Sequence, residues 1–215
     1  MFYLLMRTLI LVLALTAAAG PAFPQAPQSR GEALAALQSP DAASRAQAIV
    51  WIASRGLASD AALLQERLRD ESAFVRAYAE QGLWLLWSRS GDADIDRLMA
   101  AGVGQMQAGR YAEAIATFSS VISRKPDFAE GWNKRATVYY LAGDYARSLA
   151  DCNEVLKRNP SHFGALSGLG QIHFKLEQYE QALAWFRRAL EANPNLSGVE
   201  ENVRGLEALL REKRT

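Results

Sequence analysis

The chain is poor in the side chains that most often carry out chemistry. Its 215 residues include one cysteine, Cys152, and two histidines, His162 and His173. A single cysteine excludes an intramolecular disulfide, and two histidines without a cysteine cluster favour no metal site. The glycines form neither the nucleophile turn of a hydrolase nor a phosphate-binding loop. We therefore expect no catalytic residue, no cofactor and no metal, and no small-molecule substrate is evident.

The chain also lacks an excess of charge of either sign. It has 24 Lys and Arg against 23 Asp and Glu, which gives a formal net charge of +1. Proteins that bind nucleic acids or anionic membranes usually present a basic patch, and no basic run stands out here. We expect no nucleic-acid partner, and contact with a membrane only through the N-terminal segment.

The N-terminal residues have the pattern of a secretory signal. Arg7 precedes an apolar run at 9–15, and residues 17–22 supply the small side chains of a cleavage site. We interpret 1–22 as a signal peptide and 23–30 as a linker, and we expect an exported, periplasmic protein. The alternative is an uncleaved segment that anchors the protein in the inner membrane, although the run is shorter than the ~20 residues of a spanning helix.

Three prolines, Pro126, Pro160 and Pro194, stand 34 residues apart and reveal an internal repeat. They divide residues 95–196 into units at 95–128, 129–162 and 163–196, which we interpret as pairs of antiparallel helices. Small residues at the eighth position let the paired helices approach, and large residues fill the space beside them. The eighth, seventeenth and twenty-fourth columns read Gly102, Ala136 and Gly170; Tyr111, Tyr145 and Tyr179; and Phe118, Cys152 and Phe186.

These columns resemble the tetratricopeptide repeat over about half the chain. The resemblance implies an all-α, helical-hairpin repeat solenoid from a family that binds proteins. Residues 197–215 are expected to form a capping helix with an apolar side. Gly109 and Gly143 are expected to end the first helix of their units in a left-handed conformation. Arg135 and Ala101 stand where the family usually has leucine, and Gln105 and His173 where it has tyrosine, so we expect looser packing there.

A weaker repeat, with an offset of 31 residues, occupies 31–91. Residues 68–79 are similar to short HEAT-type repeats, in which an Asp turn precedes a helix that opens with Val-Arg. The resemblance implies about two helical hairpins. We expect Arg45 and Arg76 to brace turns by contacting acidic residues of neighbouring hairpins; the alternative is that both side chains are solvated surface charges.

Three tryptophans, Trp51, Trp84 and Trp87, lie in this block. We interpret them as core or as the junction with the repeats, and a recognition patch is the alternative. Because the connection at 88–94 is short, we expect the two blocks to stack as one curved solenoid.

The helical period also predicts which residues of the repeats face a partner. If the fourth, seventh, eighth and eleventh columns contact neighbouring helices, the second, fifth, ninth and twelfth face the concave side. These columns, together with a lysine next to one of them, supply the candidate groove residues: Met99, Val103, Met106, Asn133, Lys134, Thr137, Tyr140, Ser167, Gln171 and Phe174. In cochaperone members of the family, basic residues and asparagines grip a C-terminal carboxylate. Methionine, valine and glycines stand at most of those positions here, so we expect no such clamp.

The sequence favours an exported, non-enzymatic interaction module that binds a protein or peptide segment in the concave groove. The alternative is a structural or assembly subunit of an envelope complex, docked through the Trp-rich N-terminal block. An exposed tryptophan surface would favour that alternative.

Overall fold

We describe residues 25–213 of the computed structural model of the chain; the expected signal peptide lies outside them. The described residues form eleven α-helices and no strand. Their bounds are α1 Arg30–Ala36, α2 Ala42–Arg55, α3 Ala61–Arg67, α4 Ala73–Trp87, α5 Ala93–Gln107, α6 Tyr111–Arg124, α7 Ala129–Leu141, α8 Tyr145–Arg158, α9 Phe163–Lys175, α10 Tyr179–Ala192 and α11 Ser197–Glu212. Within the described range, no helix is long and apolar enough to cross a membrane.

Helices α1 to α4 form a block with its own core, which we call the N-terminal block. Ile49 and Ile52 of α2 pack with Leu64 of α3 and Leu83 of α4, and all four are fully buried. The Arg45 guanidinium makes a two-bond ion pair with Asp70, at 2.8 and 2.7 Å, and donates to the carbonyls of the preceding turn. Arg45 therefore braces the two hairpins of the block, as the sequence predicted.

Helices α5 to α10 form the three predicted hairpins, and α11 covers the last of them. Gly109 and Gly143 have φ values of 71° and 78°, so they end α5 and α7 in the predicted left-handed conformation. Glu177 takes the same conformation in the third unit, with φ of 59°. The apolar side of α11 is buried against α10, as expected for a cap: Val199, Val203, Leu206 and Leu210.

The eighth and twenty-fourth columns meet inside each hairpin. A Cβ atom added to Gly102 would lie 2.6 Å from the Phe118 ring, and one added to Gly170 would lie 2.5 Å from the Phe186 ring. In the middle unit Ala136 and Cys152 share a core cluster. In this unit the eighth column has alanine in place of glycine and the twenty-fourth has cysteine in place of phenylalanine, so the distance between the paired helices stays similar.

The expectation of loose packing at Arg135 is wrong. Its guanidinium forms a two-bond ion pair with Asp151 of α8, at 2.7 and 2.8 Å, and donates to Ser119 of α6 at 2.9 Å. Arg135 therefore joins three helices through polar contacts where the family usually places a leucine.

The N-terminal block does not stack end to end on the first repeat. Its contacts run instead along the loops that join successive repeats, because Lys125, Ser161 and Asn195 from three such loops bond to the block or to its connection. The expected continuous solenoid is thus replaced by a block that lies beside the repeat array.

Candidate functional site

The first helices of the repeats, α5, α7 and α9, form the inner row of the array. Helix α7 packs against both α5 and α9, whereas α6, α8 and α10 pack against the inner helices and not closely against one another. The inner row therefore carries the residues that the sequence predicts to line the concave groove.

The predicted groove residues differ in how much surface they present. Thr137, Gln171 and Phe174 are exposed, and Phe174 keeps 46% of its surface accessible. The partly exposed members are Val103, Met106, Lys134, Tyr140 and Ser167. Met99 and Asn133 are buried. The exposed and partly exposed members form a surface without a free cation, because Lys134 is 2.8 Å from the Glu130 carboxylate.

The two buried members have clear structural partners. Met99 belongs to the core cluster of the first hairpin, together with Ile95 and Phe118. The Asn133 amide donates to Glu130 at 3.0 Å. Their side chains consequently have little surface to offer a partner.

The twelfth and seventeenth columns pair at the end of the groove where each hairpin turns. The rings of Tyr140 and Tyr145 are 5.7 Å apart, and those of Phe174 and Tyr179 are 5.8 Å apart. These pairs place partly exposed aromatic faces in register along the array.

The opposite end of the groove is covered by α4 of the N-terminal block. Trp87 stacks on His162, with centroids 4.5 Å apart, and Trp84 meets the edge of Phe163 at 5.1 Å. A side chain at Gly164 would overlap the Trp84 ring. Glycine at this groove position therefore makes room for a tryptophan of the same chain.

Polar contacts hold α4 and the preceding turn along the loops of the repeats. Arg76 donates to the Asn195 side chain at 2.9 Å, and Asn195 donates in turn to the Leu68 carbonyl at 2.8 Å. Asn193 donates to Glu80 at 3.0 Å. Arg76 thus braces a turn, as predicted, but its partner is an asparagine of the repeat array. The repeat columns did not predict that Asn193 and Asn195 would contact the N-terminal block, or that Glu80 would be the partner of Asn193.

A buried polar network lies beneath the two tryptophans. Glu130 and His162 are fully buried, with the His162 Nε2 atom 3.2 Å from the Glu130 carboxylate. The His162 Nδ1 atom accepts the Ala165 amide, so we place the ring proton on Nε2. Burial would raise the pKa of Glu130, but Lys134 and the His162 hydrogen bond outweigh it and hold the pKa at about 2.

This pair of histidine and carboxylate does not make a reaction centre. Both side chains have no accessible surface, so no substrate can reach them. His173 is separate from them and contacts Gln178. Across residues 25–213, no group of three or more potential ligands could hold a metal ion.

Comparison with known proteins supports the repeat assignment. The family model for the tetratricopeptide repeat matches residues 99–155 and 142–197. No curated protein sequence matches the chain. The match does not include residues 31–91, so their likeness to HEAT repeats stays a prediction.

Several solved structures share the fold. The first TPR of Spaghetti (RPAP3), bound to the HSP90 peptide SRMEEVD, is 26% identical over 56% of this chain and 96% of that one, with a TM-score of 0.53. The first TPR domain of human RPAP3 is 27% identical over 54% and 92%, with a TM-score of 0.52. The Sgt2 TPR domain from Aspergillus fumigatus, at 21% identity over 57% and 83% and a TM-score of 0.54, shows the fold alone. Residues 99–197 of this chain are therefore an array of tetratricopeptide repeats.

Proposed function

We propose that the protein is a non-enzymatic interaction module that binds a protein or peptide segment in its concave groove. The observation that carries this function is the inner row of α5, α7 and α9, which presents Thr137, Gln171 and Phe174 in an uncovered surface. The similar RPAP3 domain is bound to an HSP90 peptide, which supports a peptide as the partner class.

We infer that the bound segment is not an acidic peptide like the SRMEEVD that is bound to the RPAP3 domain. The groove has Val103 in the first unit and Gly164 and Gly168 in the third, so these positions carry no basic side chain that would pair with a carboxylate. Lys134 is engaged by Glu130 and lies 5.9 Å from the centroid of the Trp84 ring. The other predicted groove residues that are exposed or partly exposed are uncharged and include two aromatic rings, Tyr140 and Phe174, which suits an extended internal segment.

The test is to capture partners by crosslinking from a native envelope fraction and to compare the wild-type protein with two double variants. Thr137→Lys with Gln171→Lys places two charges in the groove at exposed positions, whereas Ala116→Lys with Gln181→Lys places two on exposed positions of α6 and α10. We expect the groove variant alone to lose the captured partner. Retention of every partner by the groove variant would exclude this groove as the binding surface.

We also propose that the protein is exported and works in the periplasm, with inner-membrane anchoring as the alternative. The proposal rests on Arg7, the apolar run and the small residues before position 23. Cell fractionation with N-terminal sequencing of the mature protein tests it. A new N-terminus near residue 20 or 23 supports export with cleavage, and an intact Met1 or Met6 in the membrane fraction supports the anchor.

A second candidate function is assembly of a larger complex through the N-terminal block. The exposed apolar residues that support it are not Trp84 and Trp87. Trp84 and Trp87 are engaged by His162 and Phe163, but Leu57 and Phe74 of the block are 60% and 51% exposed. A partner lost by Leu57→Lys with Phe74→Lys, and retained by the groove variant, would favour assembly.

A further inference from the structure

The N-terminal block and the repeats together line a shallow, open cleft beside the groove. The cleft has a volume of about 430 Å³, and its walls come from α4, α9 and α11. Glu80 lines it from α4, Gln171 from α9, and Ser197 and Asn202 from α11. Since Gln171 also belongs to the groove, a segment that runs along the groove reaches this cleft.

Glu80 is a carboxylate without an ion-pair partner in the described part of the chain. Asn193 donates one hydrogen bond to it, at 3.0 Å, and the side chain is partly buried. Arg76, one turn earlier on α4, is directed to Asn195 and to the Asp70 and Glu71 carbonyls. The N-terminus of α11 carries roughly half an elementary positive charge, so it offsets only part of the Glu80 charge.

The other polar groups of the cleft can bind a peptide backbone. The Gln171 and Asn202 amides each offer a donor and an acceptor, which match the carbonyl and N–H groups of an extended chain. A positively charged side chain placed beside Glu80 would satisfy the remaining charge.

We propose that this composite cleft receives a lysine or arginine of the bound segment, with Glu80 as its ion-pair partner and Gln171 and Asn202 as contacts to the adjacent backbone. This inference rests on the proposed groove function and adds the charge of the partner. It also gives the N-terminal block a part in recognition, because Glu80 is supplied by α4.

The experiment is selection of a displayed library of random 12-residue peptides on the full-length protein. Glu80→Gln removes the charge while its amide oxygen can still accept from Asn193, and Glu180→Gln removes an exposed charge from α10 as the matched control. We expect wild type and Glu180→Gln to enrich peptides with a basic residue at a fixed position. Glu80→Gln should lose that preference and bind a selected peptide about three- to tenfold more weakly.

A charge reversal sharpens the result. Glu80→Lys is expected to select acidic residues at the same position, provided that its near-ultraviolet circular dichroism matches wild type and so reports tryptophans still packed at the junction. Enriched peptides without a basic preference, or with one that Glu80→Gln preserves, would overturn the proposal and leave the groove function standing. If wild type enriches no peptide that the groove variant loses, the groove function fails as well.

Discussion

At the scale of single residues, the third hairpin carries a conformational strain that the other two avoid. Glu177 adopts φ of 59° at the position where the first two units have glycine. The left-handed region crowds the Cβ atom of an L-residue against the backbone, at a cost of about 1 kcal/mol.

We therefore predict that Glu177→Gly stabilises the protein by about 0.5 to 1 kcal/mol. The reverse change in the second unit, Gly143→Glu, should destabilise it by a similar amount, since φ there is 78°. Urea unfolding of both variants measures the two changes. Equal destabilisation by both substitutions would contradict the strain at Glu177.

Cys152 is buried in the second hairpin, and it supplies a second residue-scale prediction. Burial, with a smaller effect of Asp151, raises the pKa of its thiol to about 12. The thiolate is the reactive form, so folded protein at pH 8 should resist iodoacetamide and react only in denaturant. Mass spectrometry of alkylated protein reads this out, and rapid alkylation of the folded protein would show that the site opens.

At the scale of helices, the ion pair between Arg135 and Asp151 replaces an apolar contact between α7 and α8. The Asp151 side chain is 6% exposed, so loss of the guanidinium would leave a buried charge unpaired. Well-packed apolar residues in place of both partners avoid that cost.

The prediction is that Arg135→Met alone destabilises the protein by about 3 kcal/mol, and that Arg135→Met with Asp151→Leu recovers most of the loss. Chemical denaturation of the two single variants and the double variant measures the coupling. A double variant as unstable as Arg135→Met would show that Arg135 acts instead through Ser119, or through the Trp132 and Tyr139 rings, whose centroids lie 5.1 and 5.7 Å from its guanidinium.

The hairpins were predictable because their determinants are local. The partners Gly102 and Phe118 lie sixteen residues apart in one unit, and three copies of the column made their roles visible. The Arg135 contact was not predictable in this way, since arginine stands at that column in one copy of three and the family pattern implies leucine there.

At the scale of the whole molecule, the position of the N-terminal block was outside the reach of sequence patterns. Trp84 and Trp87 share a helix face, which predicts burial, but their partners His162 and Phe163 lie more than 70 residues further along the chain. No periodic signal connects them. The groove columns were predicted from helix geometry alone, and that geometry did not predict the burial of Asn133, whose amide donates to the buried Glu130.

The buried Glu130 network joins the second repeat, the third repeat and the N-terminal block, so its charge should govern acid stability. Its pKa falls from 4.5 to about 2 in the folded protein. A lowered folded-state pKa contributes stability above pH 4.5 that is lost as the pH falls toward 2, on the order of 3 kcal/mol.

We predict that Glu130→Gln destabilises the protein at pH 7 and that its deficit relative to wild type shrinks as the pH falls from 4.5 to 2. Urea unfolding of both proteins at pH 7, 4.5, 3 and 2 measures this difference. The exposed Glu180→Gln is the control and should stay close to wild type throughout. If the charge stabilises the fold, wild type loses that stability at pH 2 and approaches the Glu130→Gln variant. A deficit of Glu130→Gln that persists unchanged at pH 2 would mean that Glu130 acts through its shape and hydrogen bonds and not through its charge.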